Sequence, residues 1–377
     1  MTHIDGEQDM DAPFRLGIIG LGLVAAEHIA AYRQLPQLRI VSVCDVDPRV
    51  AAQWGATLGV RSFDDHRMLL AHGGVDLVLV LTPASTHRAI VEDVAAAGIP
   101  ILCEKPLAVT VEDGAAMVAA CARHGVPLYY GSIYRHLPAV RAAKALIDAG
   151  AIGRVQVMTE QMIGGNGADR YRQLAPIHYP NGGPGGAGMG LVDHGVHLID
   201  VFCWFMGGPP VEVTGSGQIS GAPLQSEHLT MRFDGGAMGH LIYNAGTYST
   251  FLPNEGMFAG GMSWLTDGTL APAGAWLAEP ASISVHGTAG SLRIFHFANA
   301  LYLNRGDGMR QVPLEGRPCP DHFASQIEEC IAAIRDGRPP AIDGADGVRA
   351  LRVLAAAYRR EAFVGGEEVS LSTRVGA

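Results

Sequence analysis

Gly20-Leu21-Gly22-Leu23-Val24-Ala25 follows the apolar run Leu16–Ile19 and opens a helix-like stretch, and Asp45 comes twenty positions after Ala25. A strand, a tight turn and a helix in that order make a place for a dinucleotide. Gly20 permits the turn, Gly22 lets the backbone approach a pyrophosphate, and the small Ala25 lets the helix pack close to the strand. Leu23 and Val24 begin the helix, whose free N–H groups and dipole face the phosphates. Asp45 ends the second apolar run, Leu38–Cys44. A carboxylate there accepts hydrogen bonds from the adenine-ribose hydroxyls and repels a 2′-phosphate. NAD is therefore expected over NADP, although Arg49 stands nearby.

Working outward, residues 14 to 132 alternate apolar runs with amphipathic stretches. Strands are expected at Leu16–Ile19, Arg39–Cys44, Val75–Leu81, Pro100–Cys103 and Pro127–Tyr130. Helices are expected at Val24–Leu35, Arg49–Leu58, His87–Ala97 and Val111–His124. Gly98 and Gly125 close two of these helices, and Thr110 with Asp113 resembles a capping box. Strand and helix in alternation imply right-handed βαβ units and a parallel sheet. The strands are continuously apolar, which fits a sheet covered on both faces.

The texture changes after Leu137–Ala149, one more helix. Alternating segments follow at Val155–Glu160, Val211–Gly217, His228–Phe233, Ala237–Asn244, Ser282–His286 and Ser291–Phe297, with a hairpin signal at Phe233-Asp234-Gly235-Gly236. They predict a mostly antiparallel sheet. Phe323–Arg335 and Ala345–Arg359 read as closing helices. The expected division is a dinucleotide domain over 14–132, an α+β domain over 133–377, and a flexible tail over 1–13.

Composition narrows the function classes. With 377 residues, 48% hydrophobic and 17% charged, the chain can bury two real cores. A net charge of −10 and no basic run argue against nucleic acid. No apolar stretch is long enough to cross a bilayer. Met1–Ala12 is polar and acidic, unlike a secretory signal. The six cysteines form no C-x-x-C pair, so a reducing cytoplasm is expected.

Two clusters carry chemistry. Glu104-Lys105-Pro106 and Thr82-Pro83-Ala84-Ser85-Thr86-His87 each end a parallel strand. Ligands of an open parallel sheet bind at those carboxyl ends, so Lys105 is expected to point into the cofactor crevice. The bland alternatives are a solvated surface lysine and a histidine that merely starts a helix. In Asp193-His194-Gly195-Val196-His197-Leu198-Ile199-Asp200, positions 193, 197 and 200 fall on one face of a helix. A carboxylate beside the imidazole raises its proton affinity and fixes its orientation, which suits a general base. The alternative is a helix cap with satisfied histidines. The histidine spacing is not H-E-x-x-H and no further ligand cluster is evident, so no metal is expected.

This ordered set, Gly20-x-Gly22-x-x-Ala25, Asp45, Thr82-Pro83…His87, Glu104-Lys105-Pro106 and Asp193-x-Gly195-x-His197-x-x-Asp200, resembles the glucose–fructose oxidoreductase / inositol dehydrogenase / rhizopine catabolism (Gfo/Idh/MocA) family. The resemblance runs from about residue 14 to 370 and includes Gly-Thr-Ala-Gly-Ser at Gly287–Ser291. It implies an N-terminal Rossmann doubly wound parallel sheet with a C-terminal α+β domain built on a large, mostly antiparallel sheet. It further implies Lys105, Asp193 and His197 as the catalytic group. His197 would take a hydroxyl proton, Lys105 would stabilise the oxygen, and Asp193 would position substrate or imidazole. Gly20, Gly22, Leu23, Val24, Asp45, Thr82, Pro83, His87, Glu104 and Lys105 would surround NAD. Tyr134, Arg172, His178 and His194 are expected to meet a carbohydrate-like substrate. His194 stands where many members carry a smaller or apolar residue, and Gly164–Pro184 and Pro253–Trp276 look like variable pocket loops. A homodimer or homotetramer is implied, with no nucleic acid or membrane partner. The activity implied is NAD-dependent oxidation of a secondary hydroxyl of a sugar, polyol or related cyclic compound. The alternatives are a glycoside hydrolase or lyase that recycles its NAD, and a non-catalytic NAD-binding sensor.

Overall fold

A computed structural model describes residues 12–163, 190–217, 226–244, 282–296, 298–318, 321–358 and 373–374. The expected pocket loops, Arg172 and His178, nearly all of the N-terminal tail and Cys319 lie outside the described residues.

The first half is a six-stranded sheet in the order β3-β2-β1-β4-β5-β6, parallel throughout. Its strands are β1 (Phe14–Ile19), β2 (Leu38–Cys44), β3 (Arg61–Phe63), β4 (Leu77–Val80), β5 (Ile101–Glu104) and β6 (Leu128–Gly131). Helices α1 (Leu23–Tyr32), α2 (Pro48–Leu58), α3 (His66–His72), α4 (Ala84–Ala96) and α5 (Val111–His124) connect them. The strand order reverses between β1 and β4, which opens a ligand crevice beyond their carboxyl ends. Strands β4, β5 and β6 are buried at every position, as their unbroken apolar runs require.

Local chemistry sets the helix ends. Thr110 accepts from the Asp113 backbone N–H at 3.0 Å and donates to the Asp113 carboxylate at 2.8 Å. Gly125 closes the same helix in the left-handed conformation. Strand β3 and helix α3 are not expected from sequence. The strand has three residues and none fully buried, and the helix buries only Leu69, so neither carries a strong apolar period.

The second sheet has nine strands in the order β14-β13-β12-β11-β7-β10-β9-β8-β15. They are β7 (Val155–Ile163), β8 (Glu212–Ser216), β9 (Glu227–Arg232), β10 (Met238–Asn244), β11 (Ile283–Gly287), β12 (Ser291–Phe295), β13 (Ala300–Asn304), β14 (Met309–Gln311) and β15 (Thr373–Arg374). Neighbours are antiparallel except β7 with β10. The Gly287–Ser291 segment makes the β11–β12 turn, and Gly235 turns β9 into β10 with φ +76°. Helices α6 (Pro138–Asp148) and α7 (Val196–Met206) cover one face. The approach is close: a Cβ on Gly239 of β10 would lie 2.8 Å from the Phe202 ring.

Two late helices return to the first half. In α8 (His322–Arg335), Phe323 lies with its ring centroid 4.3 Å from that of His28 on α1. Helix α9 (Gly344–Tyr358) wedges between α5 and β6, where glycines permit contact: a Cβ on Gly114 would lie 2.9 Å from Leu351, and one on Gly344 2.7 Å from Leu128. Immediately before α9, Tyr130 N–H donates to the Ile342 carbonyl at 3.1 Å.

Candidate active site

The glycine turn has the features that the sequence predicts. Gly20 sits at φ +94°, and a Cβ there would meet the Leu81 and Thr82 backbone at 2.7 Å. Gly22 caps α1, and a Cβ on it would meet nothing within 4 Å, so it faces open space. No side chain caps this helix and no acid occupies its first turn. Its N–H groups are therefore available to an anion. Leu23 is 58% exposed beside them, while Ala25 is fully buried. The Asp45 carboxylate accepts from Leu21 N–H at 2.8 Å and Asp47 N–H at 2.9 Å, tying the end of β2 to the turn. These residues fit the diphosphate and ribose of a dinucleotide. Arg49 pairs with Asp47 at 2.8 Å.

Beyond β4, Thr82 and Pro83 line the crevice and Thr86 bonds the Thr82 hydroxyl at 2.9 Å. His87 is fully buried behind them. Its ring nitrogens lie 2.7 Å from the Thr82 carbonyl and 3.1 Å from the Leu107 carbonyl, which joins the loops after β4 and β5. Glu104 turns inward: one oxygen accepts from Lys105 N–H at 2.6 Å and the other lies 3.3 Å from His28. The Lys105–Pro106 peptide is cis.

Lys105 reaches across to the second half, with Nζ 2.6 Å from Asp193 Oδ1 and 3.0 Å from the Asp193 carbonyl. Burial pulls its pKa down, but the charges of Asp193 and Glu104 outweigh that pull and hold it above the ordinary lysine value. The ammonium is permanently charged in the working range.

Asp193 lies on a π-helical turn, Gly190–Gly195, that leads directly into α7. Such single π turns recur at functional sites because they re-aim side chains. His197 and Asp200 both face the 3₁₀ turn Ile133–His136, but they meet different residues of it. The His197 ring lies flat on Tyr134, 4.0 Å between centroids and 6° between planes. Asp200 accepts from Arg135 through Nη2 and, at 2.7 Å, through Nε, and from the Ser132 hydroxyl. This corrects the sequence expectation that a carboxylate lifts the imidazole pKa. Burial first, then the positive charge of Lys105 and neighbouring histidines, push His197 well below the usual histidine value. It is a neutral imidazole at pH 7, and its Nδ1 has no hydrogen-bond partner among the described residues.

Behind this pair lies a buried network that sequence reasoning only half found. His194 Nδ1 meets the Tyr134 hydroxyl at 2.9 Å, and His194 Nε2 meets Glu160 Oε1 at 2.8 Å. His296, just after β12, and Tyr243, on β10, complete the wall. Tyr134 and His194 were expected at the substrate site, whereas Glu160 and His296 were missed. The available signal was an acid at an inward position of β7, between the buried Met158 and the apolar Met162.

Residues 14–132 match the model of an oxidoreductase family with an NAD-binding Rossmann fold, and residues 144–362 match the C-terminal alpha/beta domain of the same family. The chain is 38% identical over 141 residues to a D-apiose dehydrogenase of Paraburkholderia graminis, a match covering 37% of this chain and 38% of that protein's length. It is 27% identical over 351 residues to an inositol 2-dehydrogenase of Rhizobium meliloti, covering 92% of this chain and 96% of that one. The fold is shared with the aldose-aldose oxidoreductase of Caulobacter crescentus, TM-score 0.76 at 22% identity, covering 96% of this chain and all of that one. Both domain matches together span most of the chain, which belongs to the Gfo/Idh/MocA oxidoreductase family with an NAD-binding Rossmann domain.

Proposed function

We propose that this protein is an NAD-dependent dehydrogenase oxidising a secondary hydroxyl of a sugar, polyol or related cyclic compound. The observation that carries the reading is a permanently charged Lys105, held by Asp193 at the carboxyl end of β5, beside a neutral His197. Names of relatives, a D-apiose dehydrogenase and an inositol 2-dehydrogenase, support this substrate class.

When bound, the nicotinamide supplies a hydride acceptor. His197, neutral at pH 7, takes the hydroxyl proton as the carbon loses its hydride. Lys105 donates to the same oxygen and stabilises the charge that develops there. Asp193 fixes the ammonium and keeps it charged. Tyr134, flat against His197, holds the imidazole plane. The open space at Gly22 and the uncapped α1 terminus would hold the diphosphate. Asp45 favours NAD over NADP, and Arg49, already paired with Asp47, offers little to a 2′-phosphate. Five described cysteines are buried thiols, which suits the cytoplasm. Val157 and Met238, register partners on the sheet face opposite α7, are 38% and 43% exposed and offer an apolar patch for a homo-oligomer.

The test is to mix the protein at near-stoichiometric concentration with NAD and a panel of sugars and cyclic polyols. Reduced-nicotinamide absorbance and product masses are followed together. Sustained reduction with a ketone product is expected. Product without net reduction would replace this reading with recycled NAD and elimination or hydrolysis. Binding of NAD with neither signal across the panel would favour a sensor.

A further inference from the structure

Three side chains from distant parts of the chain meet behind the Lys105–His197 pair. Glu160 comes from β7, His194 from the π turn and His296 from the end of β12, all essentially buried. One donor atom from each lies within 4.8 Å of the other two. From this set we infer a site for a divalent transition-metal ion of the zinc class, ligated by Glu160, His194 and His296.

The first support is charge. Glu160 is 1% exposed, and no lysine or arginine pairs with it among the described residues. Its only ionic partner there is His194, which carries charge only when protonated. A carboxylate removed from water is costly without a cation beside it. A divalent ion supplies that cation.

The second support is the kind of group that surrounds the carboxylate. The Tyr243 phenol hydrogen-bonds Glu160 and offers it no positive charge. Tyr243 packs edge-on against His194, 5.6 Å between ring centroids. A phenol satisfies hydrogen bonding of a buried carboxylate but does not neutralise its charge. A metal ion takes the carboxylate oxygen directly and neutralises it.

Donor chemistry and orientation agree with this. Two imidazoles and one carboxylate are the ligand set of open zinc sites, with metal–ligand distances of about 2.0–2.2 Å. Donors around such an ion stand about 3.4 Å apart in tetrahedral geometry, so the 2.8 Å His194–Glu160 contact would open slightly while His296 closes in. The other nitrogen of His194 meets the Tyr134 hydroxyl at 2.9 Å. That partner fixes the ring and its tautomer, as outer groups around metal-bound histidines do. Tyr134 in turn lies on His197, so the ion would brace the wall against which the base rests.

The sequence hides this set because its three ligands stand 34 and 102 positions apart. Metal spacing rules apply to ligands close in sequence, and these are joined only by the nine-stranded sheet and the π turn.

The experiment uses the full chain without an affinity tag. Purified protein is stripped with a chelator, reloaded with zinc or cobalt(II) alone, desalted and assayed for metal content. About one ion per chain is expected, with a visible cobalt spectrum of tetrahedral or five-coordinate type and a higher Tm in zinc than in chelator. Glu160→Gln and His296→Gln should each weaken cobalt affinity by more than about 100-fold, because losing a ligand exceeds the loss of an outer partner. NAD binding, measured in parallel, reports whether each variant folds. If stripped wild-type protein takes up no ion, or gains no Tm in zinc, the site does not exist. Equal cobalt affinity in folded wild-type and variant proteins would place any bound ion elsewhere and overturn the assignment. Should both variants fail to fold, the wild-type cobalt spectrum and zinc-dependent Tm decide alone. All of these readouts are independent of dehydrogenase activity.

Discussion

Lys105 Nζ stands 2.6 Å from Asp193 Oδ1, and this contact joins the loop after β5 to the π turn of the second domain. The pair crosses the crevice beyond the carboxyl end of β5, where the proposed reaction would bring nicotinamide and substrate together. Lys105→Met is expected to lower kcat by about 10²–10⁴-fold, the range for a lost proton-transfer or oxyanion group. NAD affinity, followed by quenching of protein fluorescence, should change less than about threefold, because the diphosphate and ribose sites are untouched. Near-normal turnover in this variant would remove Lys105 from the chemistry.

Asp193→Asn tests the same pair by pH. Two carboxylates hold Lys105 above its ordinary value against the opposing pull of burial. With Asp193 neutralised, burial gains ground and the lysine should lose its proton at lower pH. The alkaline limb of kcat/KM in the variant is expected to move down relative to wild type. An unmoved limb would show that Asp193 does not set the lysine charge.

Gly20 and Gly22 separate folding from binding. Gly20→Ala forces a side chain into the Leu81–Thr82 backbone at positive φ, with an expected cost of about 1–3 kcal/mol in denaturant unfolding. Gly22→Ala puts its methyl into open space, so stability should hold while NAD affinity drops by an order of magnitude or more. If Gly22→Ala binds NAD normally, the diphosphate lies elsewhere.

Asp200 is a structural anchor. It is 1% exposed and binds Arg135, itself buried, together with Ser132. Asp200→Asn leaves a buried guanidinium with Asp346 as its remaining carboxylate, 3.2 Å away. A loss of about 3–5 kcal/mol is expected from breaking a buried pair. Equilibrium unfolding in urea checks it, and a loss under about 1 kcal/mol would mean that Asp346 suffices.

Acid sensitivity follows from buried histidines. Burial lowers His87, His197 and His296, and burial together with Arg141 and Arg135 lowers His136 to about 3. The unfolded chain binds protons at these sites from about pH 6.5 downward while the folded chain does not. Stability is thus complete above that pH and falls below it, by up to about 1.4 kcal/mol per pH unit for each such group. Denaturation midpoints in chelator at pH 8, 6.5 and 5 should show the fall, and His136→Leu should make it shallower. A flat profile from 8 to 5 would contradict the burial of neutral imidazoles.

The dinucleotide half was legible because its signals are local. Gly20, Gly22 and Ala25 are needed by one turn, and unbroken apolar runs announce strands covered on both faces. The second sheet was legible in outline through alternation and the 233–236 turn. Strand β15 has two residues and β14 three, all three of them exposed, too little for any period to register. The site was read as a set of residue types, and its electrostatics were not. Whether a carboxylate beside His197 would face the imidazole or a guanidinium depended on where the Ile133–His136 turn brought Arg135. Glu160 and His296 stayed hidden because only the pairing of β7, β10, β11 and β12 brings them to His194.

The hydrogen bond from Tyr130 to Ile342, with α9 packed beside it, has a meaning for synthesis on the ribosome. Strand β6 is finished early, yet the segment that covers its free edge emerges roughly two hundred residues later, about 10–40 s at ordinary translation rates. Through that interval the nascent first domain carries a bare sheet edge and an uncovered α5 surface, the kind of template that invites wrong pairing. A late-made part of the chain thus closes an early-made one. Messages truncated before Ile342 would therefore yield a protein that has its glycine turn and its lysine but lacks the cover that keeps the sheet from pairing with other chains.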